Sequence, residues 1–259
     1  MFQIFLLSVA VTASADKMSP FIVGGSEVSI NDWSFIAFVQ ITDGPNVAAC
    51  GGSLLSSQTV LTAAHCLDDF TKKKKVKGVS FRIYMGHSSL EQAKLTRSVL
   101  NYESHRNYSP DDVIVTFDIG IMFLSRPVKF RSKVQKVILQ PKFSARVDKK
   151  LAVAGWGNTD LNDAKGGIST RLKAVVMSSN PNKKCNLNGV ICTTPQKGFP
   201  YTGDSGGPMV NAKTHRQVGI VSFRDMETGV TGFTSIPYYW DWIEKTQLKL
   251  FKRFCKKGK

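Results

Sequence analysis

Gly203-Asp204-Ser205-Gly206-Gly207-Pro208 is the stretch from which the fold can be read. A serine hydroxyl is a poor nucleophile unless a base sits beside it. Glycines around the serine let the backbone turn tightly and let a substrate carbonyl approach the amide N–H groups, which can then stabilise an oxyanion. Such a serine needs a base from elsewhere in the chain, and the base needs something to orient it.

Leu61-Thr62-Ala63-Ala64-His65-Cys66 supplies a base. Histidine titrates near neutrality, so one ring can take a proton and return it within a cycle. Small neighbours and a cysteine can hold the backbone rigid while the imidazole faces a cleft. His87, His105 and His215 have no comparable setting. In Phe117-Asp118-Ile119-Gly120-Ile121-Met122-Phe123-Leu124 a single carboxylate enters an apolar strand. Burying it unpaired would be costly. Asp118 therefore calls for a partner, and a histidine ring N–H is a natural one.

The rest of the chain bounds the setting. It has 259 residues, 42% of them hydrophobic, enough for one large all-β unit or two smaller ones. Residues 1–15 carry no charged side chain and end in Ala13-Ser14-Ala15. Their apolar run is too short to span a bilayer, so they read as a secretory signal peptide. No other stretch reaches membrane length, which implies a soluble, secreted, extracellular protein. Secretion permits disulfides among the five cysteines Cys50, Cys66, Cys185, Cys192 and Cys255, but spacing alone does not assign the pairs. No metal-type Cys/His cluster and no phosphate-cradling glycine loop occurs, and no cofactor is called for. The formal net charge of +16 favours sulfated glycans, nucleic acid or anionic membranes, or serves solubility alone. The lysine run Lys72 to Lys75 allows a solvated loop or a polyanion contact. Asn107-Tyr108-Ser109 is a glycosylation sequon, with Pro110 directly after it.

Short runs rich in Val, Ile and Phe recur between Gly, Pro, Asn and Asp. They include Phe35 to Ile41, Val79 to Met85, Ile119 to Leu124, Leu151 to Ala154 and Val218 to Phe223. This spacing predicts an all-β barrel or sandwich. One helix is expected at about 239–254, with Trp242, Ile243, Leu250, Phe251 and Phe254 on its apolar face and Lys245, Lys249, Lys252 and Arg253 opposite.

In the order His65, Asp118, Ser205, these segments resemble the chymotrypsin-like (trypsin-fold) serine proteases. The resemblance covers nearly all of the chain after residue 21. Ile22-Val23-Gly24-Gly25 looks like the family's mature N-terminus, Gly155-Trp156-Gly157 like the opening of its second barrel, and Gly219-Ile220-Val221-Ser222 like its substrate-pairing strand. It implies two six-stranded antiparallel β-barrels with a C-terminal α-helix. The first barrel would span about 22–131, the second about 132–238 and the helix about 239–254, after a signal peptide at 1–15 and a propeptide at 16–21. It also implies a secreted endopeptidase acting on proteins or peptides through an acyl-enzyme. Ser205 would be the nucleophile, His65 the general base and then acid, and Asp118 the residue that orients His65. The N–H groups of Gly203 and Ser205 would form the oxyanion hole, and Ser222 would support Asp118. Asp204 would pair with the new α-amino group of Ile22 after activation. Cys50–Cys66 and Cys185–Cys192 match family bridges; Cys255 matches none.

Departures concentrate around the specificity pocket. Tyr201 stands where the family usually has a cysteine, and Ser222 to Phe233 contains no partner cysteine. Chymases and granzymes also lack this bridge. Counting from the serine puts Phe199 at the pocket floor, with no acid to select Lys or Arg. It can floor a shallow apolar pocket or fill it. Arg224 takes a wall position that is usually glycine; it can occlude the pocket, point to solvent, or receive an acidic side chain. An apolar or aromatic residue before the cut is expected, with an acidic one as runner-up. Pro20-Phe21 precedes Ile22 where Lys or Arg is common, so a chymotrypsin-like activity would free it. The rival reading is a non-catalytic homologue that binds a protein or polyanionic partner. Sulfated polysaccharide is the partner expected for the basic surface.

Overall fold

Strand Ile36–Asp43, IAFVQITD, shows how the chain divides its apolar residues. Successive side chains on a strand point to opposite faces. Ala37, Val39 and Ile41 enter one core. Ile36 and Phe38 enter another, shared with Trp156, Leu172 and Val210 from far along the sequence. This strand therefore lines the inside of one sheet structure with one face and the junction to a second with the other.

The computed structural model describes residues 22–73, 78–109, 115–142, 150–161, 167–179, 187–193 and 198–254. The expected signal peptide (1–15), the propeptide (16–21), Cys185, Cys255 and the side chains of the lysine run Lys72 to Lys75 lie outside the described residues. In chain order the strands are β1 Ser26–Glu27, β2 Ile36–Asp43, β3 Asn46–Leu54, β4 Thr59–Thr62, β5 Ser80–Met85, β6 Leu95–Ser104 and β7 Gly120–Leu124. They continue with β8 Lys150–Gly155, β9 Lys173–Ser178, β10 Val190–Thr193, β11 Pro208–Asn211, β12 Gln217–Arg224 and β13 Thr231–Ser235. The helices are α1 His65–Asp68, which runs into a π-helical turn over Asp69–Lys73, and α2 Trp240–Phe254.

Strands β2, β3, β4, β7, β6 and β5 close into the first barrel, every pair antiparallel. The other sheet has seven strands in the order β1-β9-β8-β11-β12-β13-β10. Six of them match the expected second barrel. The seventh, β1, comes from the start of the described chain and pairs Ser26 with Ala174 on β9. One isolated bridge, Ser179 to Thr193, brings the end of β9 to β10. This sheet encloses its own core of Ile22, Leu151, Val153, Met209, Val218 and Phe233, among others.

Helix α2 packs on the first barrel. Its buried residues are Ile243, Thr246 and Leu250. Phe251 and Phe254 close on Phe123 of β7, with ring centroids 5.5 and 5.2 Å away. Lys252 and Arg253 sit in its last turn, where cations offset the negative end of the helix dipole. No described helix is long and apolar enough to cross a membrane.

Where the halves meet, backbone touches backbone. The N–H of Gly51 on β3 donates to the carbonyl of Ser205 at 2.7 Å. A Cβ on Gly51 would lie 2.7 Å from the Cα of Gly207.

Candidate active site

His65 begins α1 directly behind β4, its position fixed by the fully buried Ala63, Ala64 and Cys66. Cys66 is bonded to Cys50, S–S 2.00 Å. Asp118 lies just before β7 and is 1% exposed. Phe117 before it has φ 56°, a left-handed conformation uncommon for an aromatic residue. It is held there by the Tyr239 hydroxyl, which accepts its N–H at 3.2 Å, and by stacking on His105 at 4.8 Å.

The buried carboxylate of Asp118 has the partner its burial demands. One oxygen accepts the backbone N–H of His65 at 2.9 Å. The other accepts His65 Nδ1 at 2.8 Å and the Ser222 hydroxyl at 2.5 Å. Since an ionised carboxylate only accepts, Nδ1 carries the ring proton and Nε2 is left as a lone-pair acceptor. Ser222 reaches inward because β12 and β13 shift register between Val221 and Phe223, a bulge that re-aims the residue between them.

Burial pulls the His65 pKa down, but the charge and hydrogen bond of Asp118, with a smaller effect from Asp69, outweigh it and hold it above its ordinary value. Burial pushes Asp118 up, and His65, Ser222 and the His65 N–H bring it below the usual aspartate value. The His65 side chain keeps 21% of its surface exposed.

Ser205 lies across the cleft and lines the same cavity as His65. Among the described residues no hydrogen bond joins the two side chains, and such contacts often tighten only once substrate is bound. The backbone N–H groups of Gly203 and Ser205 likewise have no acceptor among the described residues. Gly203 has φ 97°, a conformation open to glycine and strained for other residues.

Asp204 is fully buried and accepts N–H groups from Gly157 at 2.7 Å and Tyr201 at 3.0 Å. Its carboxylate occupies the space where a Cβ on Gly155 or Gly157 would stand. Among the described residues no cation pairs with it, and burial pushes its pKa up to about 7. Ile22 is also fully buried, in the same core as Phe199. Its φ of 37° is an outlier for a β-branched residue.

Ser205 also lines a second, smaller cavity of about 220 Å³, with Tyr201, Val221, Ser222 and Arg224. Phe199 is 5% exposed and lies behind Arg224 rather than on that lining. The guanidinium lies over the Phe199 ring, 3.3 Å from Cζ to the centroid. Its Nη1 donates to the Gly229 carbonyl at 3.0 Å and the Thr231 hydroxyl at 2.9 Å. Burial lowers its pKa, with Asp225 partly offsetting the effect.

Cys50, His65 and Cys66 bring potential metal-ligating atoms within 4.8 Å of one another, but the two sulfurs are bonded together and offer no thiolate. Cys192 is disulfide-bonded, with its partner outside the described residues. Sequence reasoning missed Asp69, whose charge reaches His65; the only signal was a pair of acids shortly after the histidine in His65-Cys66-Leu67-Asp68-Asp69.

A family model described as Trypsin matches residues 22–243. Brachyurin of Leptuca pugilator is 32% identical over 240 residues, covering 86% of this chain and 97% of its own length. Among solved structures, HL collagenase has a TM-score of 0.72 at 23% identity, covering 87% of this chain and 98% of that one. A scabies mite inactivated protease paralogue reaches the same TM-score of 0.72 at 22% identity, covering 86% and 95%. Likeness at such identity speaks to fold alone, and here the same fold accompanies a protein described as inactivated. The family match spans both sheets and every candidate residue described above, and on it the chain belongs to the trypsin family, the chymotrypsin-like serine proteases.

Proposed function

We propose that the protein is a secreted serine endopeptidase, activated by proteolysis. The observation that carries this is the buried Asp118 bonded to His65 Nδ1, with Nε2 left free toward the cavity that holds Ser205. In the reaction His65 Nε2 takes the proton of Ser205 Oγ as that oxygen adds to the peptide carbonyl. The oxyanion is held by the N–H groups of Gly203 and Ser205. His65 passes its proton to the leaving amine, the C–N bond breaks, and an ester on Ser205 remains. Water repeats the sequence: His65 takes its proton, hydroxide adds to the ester, and Ser205 Oγ leaves with the proton. Asp118 stays ionised and stabilises the charged ring.

The residue before the cut enters the smaller cavity. Its lining supports an apolar side chain of modest size. A second reading is supported by Arg224, whose Nη2 has no partner among the described residues and could take an acidic side chain.

Activation follows from Asp204. In the uncut chain the nitrogen of Ile22 is an amide and carries no charge. A cut after Phe21 would create an ammonium able to pair with Asp204. It would also abolish the φ torsion that holds Ile22 in a left-handed conformation, worth about 1–2 kcal/mol.

A fluorophosphonate probe tests the reading. Protein whose N-terminus is Ile22 should be labelled, and Ser205→Ala should not. Absence of labelling in correctly cut protein would overturn it.

A further inference from the structure

Ser205 lines two unequal cavities. The one on the Arg224 side holds about 220 Å³ and the one on the His65 side about 900 Å³. If Ser205 and His65 act as proposed above, chemistry tells the two sides apart. The base that protonates the leaving amine must reach that nitrogen, so the leaving half of the substrate lies where His65 is. His65 lines the larger cavity and is absent from the lining of the smaller one.

The larger cavity is built to take apolar surface. Phe38 meets Tyr84 and Trp156 edge-on, each at 6.0 Å between centroids, and the Tyr84 hydroxyl donates to Gln40 at 3.0 Å. These contacts fix the rings. At the rim, Val47 and Ile168 leave 64% and 37% of their surface exposed. Ile168 also reaches Gly203, 3.1 Å from where a Cβ would stand. In a chain of net charge +16, no lysine or arginine is among the described residues that line this cavity, and Asp69 is the one carboxylate among them. Arg224 is tied down by Phe199, Gly229 and Thr231 and narrows the smaller cavity.

We propose that the larger cavity is the principal specificity site, and that it takes a large apolar side chain, aromatic or branched aliphatic, from one of the two residues immediately after the scissile bond. Selection before the cut is correspondingly weak. The inference rests on the serine-peptidase reading for its orientation, and its test keeps the two apart.

Two measurements decide it. The first is cleavage of internally quenched peptides by the protein cut at Ile22. Exchanging Ala for Phe or Leu in the two positions after the cut should raise kcat/KM by about tenfold or more, and by more than any exchange among uncharged residues before it. The second is calorimetric binding of short peptides with a free N-terminus to the Ser205→Ala protein. Peptides beginning Phe or Leu should bind about tenfold more tightly than those beginning Ala. Val47→Asp and Ile168→Asp, at exposed positions that the fold does not need, should erase that difference. A labelled enzyme whose selectivity resides in the residue before the cut, or peptide affinity indifferent to the first two side chains, would overturn the proposal. Loss of labelling with the binding preference intact would instead retire the catalytic reading and keep the site.

Discussion

The guanidinium of Arg224 lies on the ring of Phe199, 3.3 Å from its centroid, and covers it. A cation over an aromatic face gains about 0.5–2 kcal/mol from exposed to desolvated settings, and Arg224 is held by two hydrogen bonds besides, so the side chain is not expected to swing away freely. Arg224→Gly should therefore uncover Phe199 and enlarge the smaller cavity. Cleavage after Phe or Leu is expected to rise about tenfold in kcat/KM, and any cleavage after Asp or Glu to vanish. A peptide library read by mass spectrometry checks both. An unchanged profile would mean that Arg224 does not control this pocket.

Asp118→Asn keeps the shape of the carboxylate and removes its charge. In triads of this kind kcat falls about 10⁴-fold. The pH dependence should move as well. His65 must be neutral to accept a proton, so activity is lost as pH falls through its pKa, which the intact carboxylate holds above 6.5. Without that charge burial prevails, and the midpoint should drop below 6.5. NMR titration of His65 measures it directly. Ser222→Ala should lower kcat by less, since one hydrogen bond to ionised Asp118, about 1.5–3 kcal/mol, is removed while the charge beside His65 remains.

Asp204 sets a pH dependence of stability for the uncut chain. Its folded pKa of about 7 lies above the ordinary 3.8, so over that range the folded chain keeps a proton that the unfolded chain has released. Stability should fall as pH rises from 3.8 toward about 7, by up to roughly 4 kcal/mol. Once an ammonium at Ile22 pairs with Asp204, that loss should disappear. Thermal melts of Ser205→Ala protein, uncut and cut at Ile22, at pH 5 and pH 8 provide the comparison. A melting temperature of the uncut form that does not fall between them would contradict the argument.

Much of the site was legible because the residues sit in short local signals. His65, Asp118 and Ser205 each lie in a stretch whose neighbours explain its geometry, and the structure brings the first two to 2.8 Å. The apolar face of α2 was equally readable from its spacing. What could not be read is what side chains do across loops. Counting put Phe199 and Arg224 at one pocket, yet nothing in the count says that one stacks on the other. The larger cavity gathers Phe38, Val47, Tyr84 and Ile168 from β2, β3, β5 and a distant loop, with no motif common to them. Strand β1 is two residues long, too short for any periodicity to reveal that it joins the second sheet.

The net charge of +16 supports a polyanion contact through α2. Lys245, Lys252 and Arg253 are exposed on it, and Lys249 is engaged with Glu103 at 2.8 Å. Replacing Lys245, Lys252 and Arg253 together with Gln should lower the salt needed to elute the protein from heparin. Exposed charges of this kind are screened, so the change should vanish at high ionic strength. Identical elution would remove the helix from the contact.

The Ser205 loop does not rest on its own sheet alone. Gly51 of the first barrel holds the Ser205 carbonyl at 2.7 Å and leaves no room for a side chain against Gly207. At Ser205 itself the halves are thus seated backbone on backbone, beside the core that Phe38, Trp156 and Val210 share across the junction. Loosening either half withdraws the serine from its setting at the same moment. Inactivation and global unfolding should then coincide on heating, leaving no temperature window for a half-melted chain that still cuts.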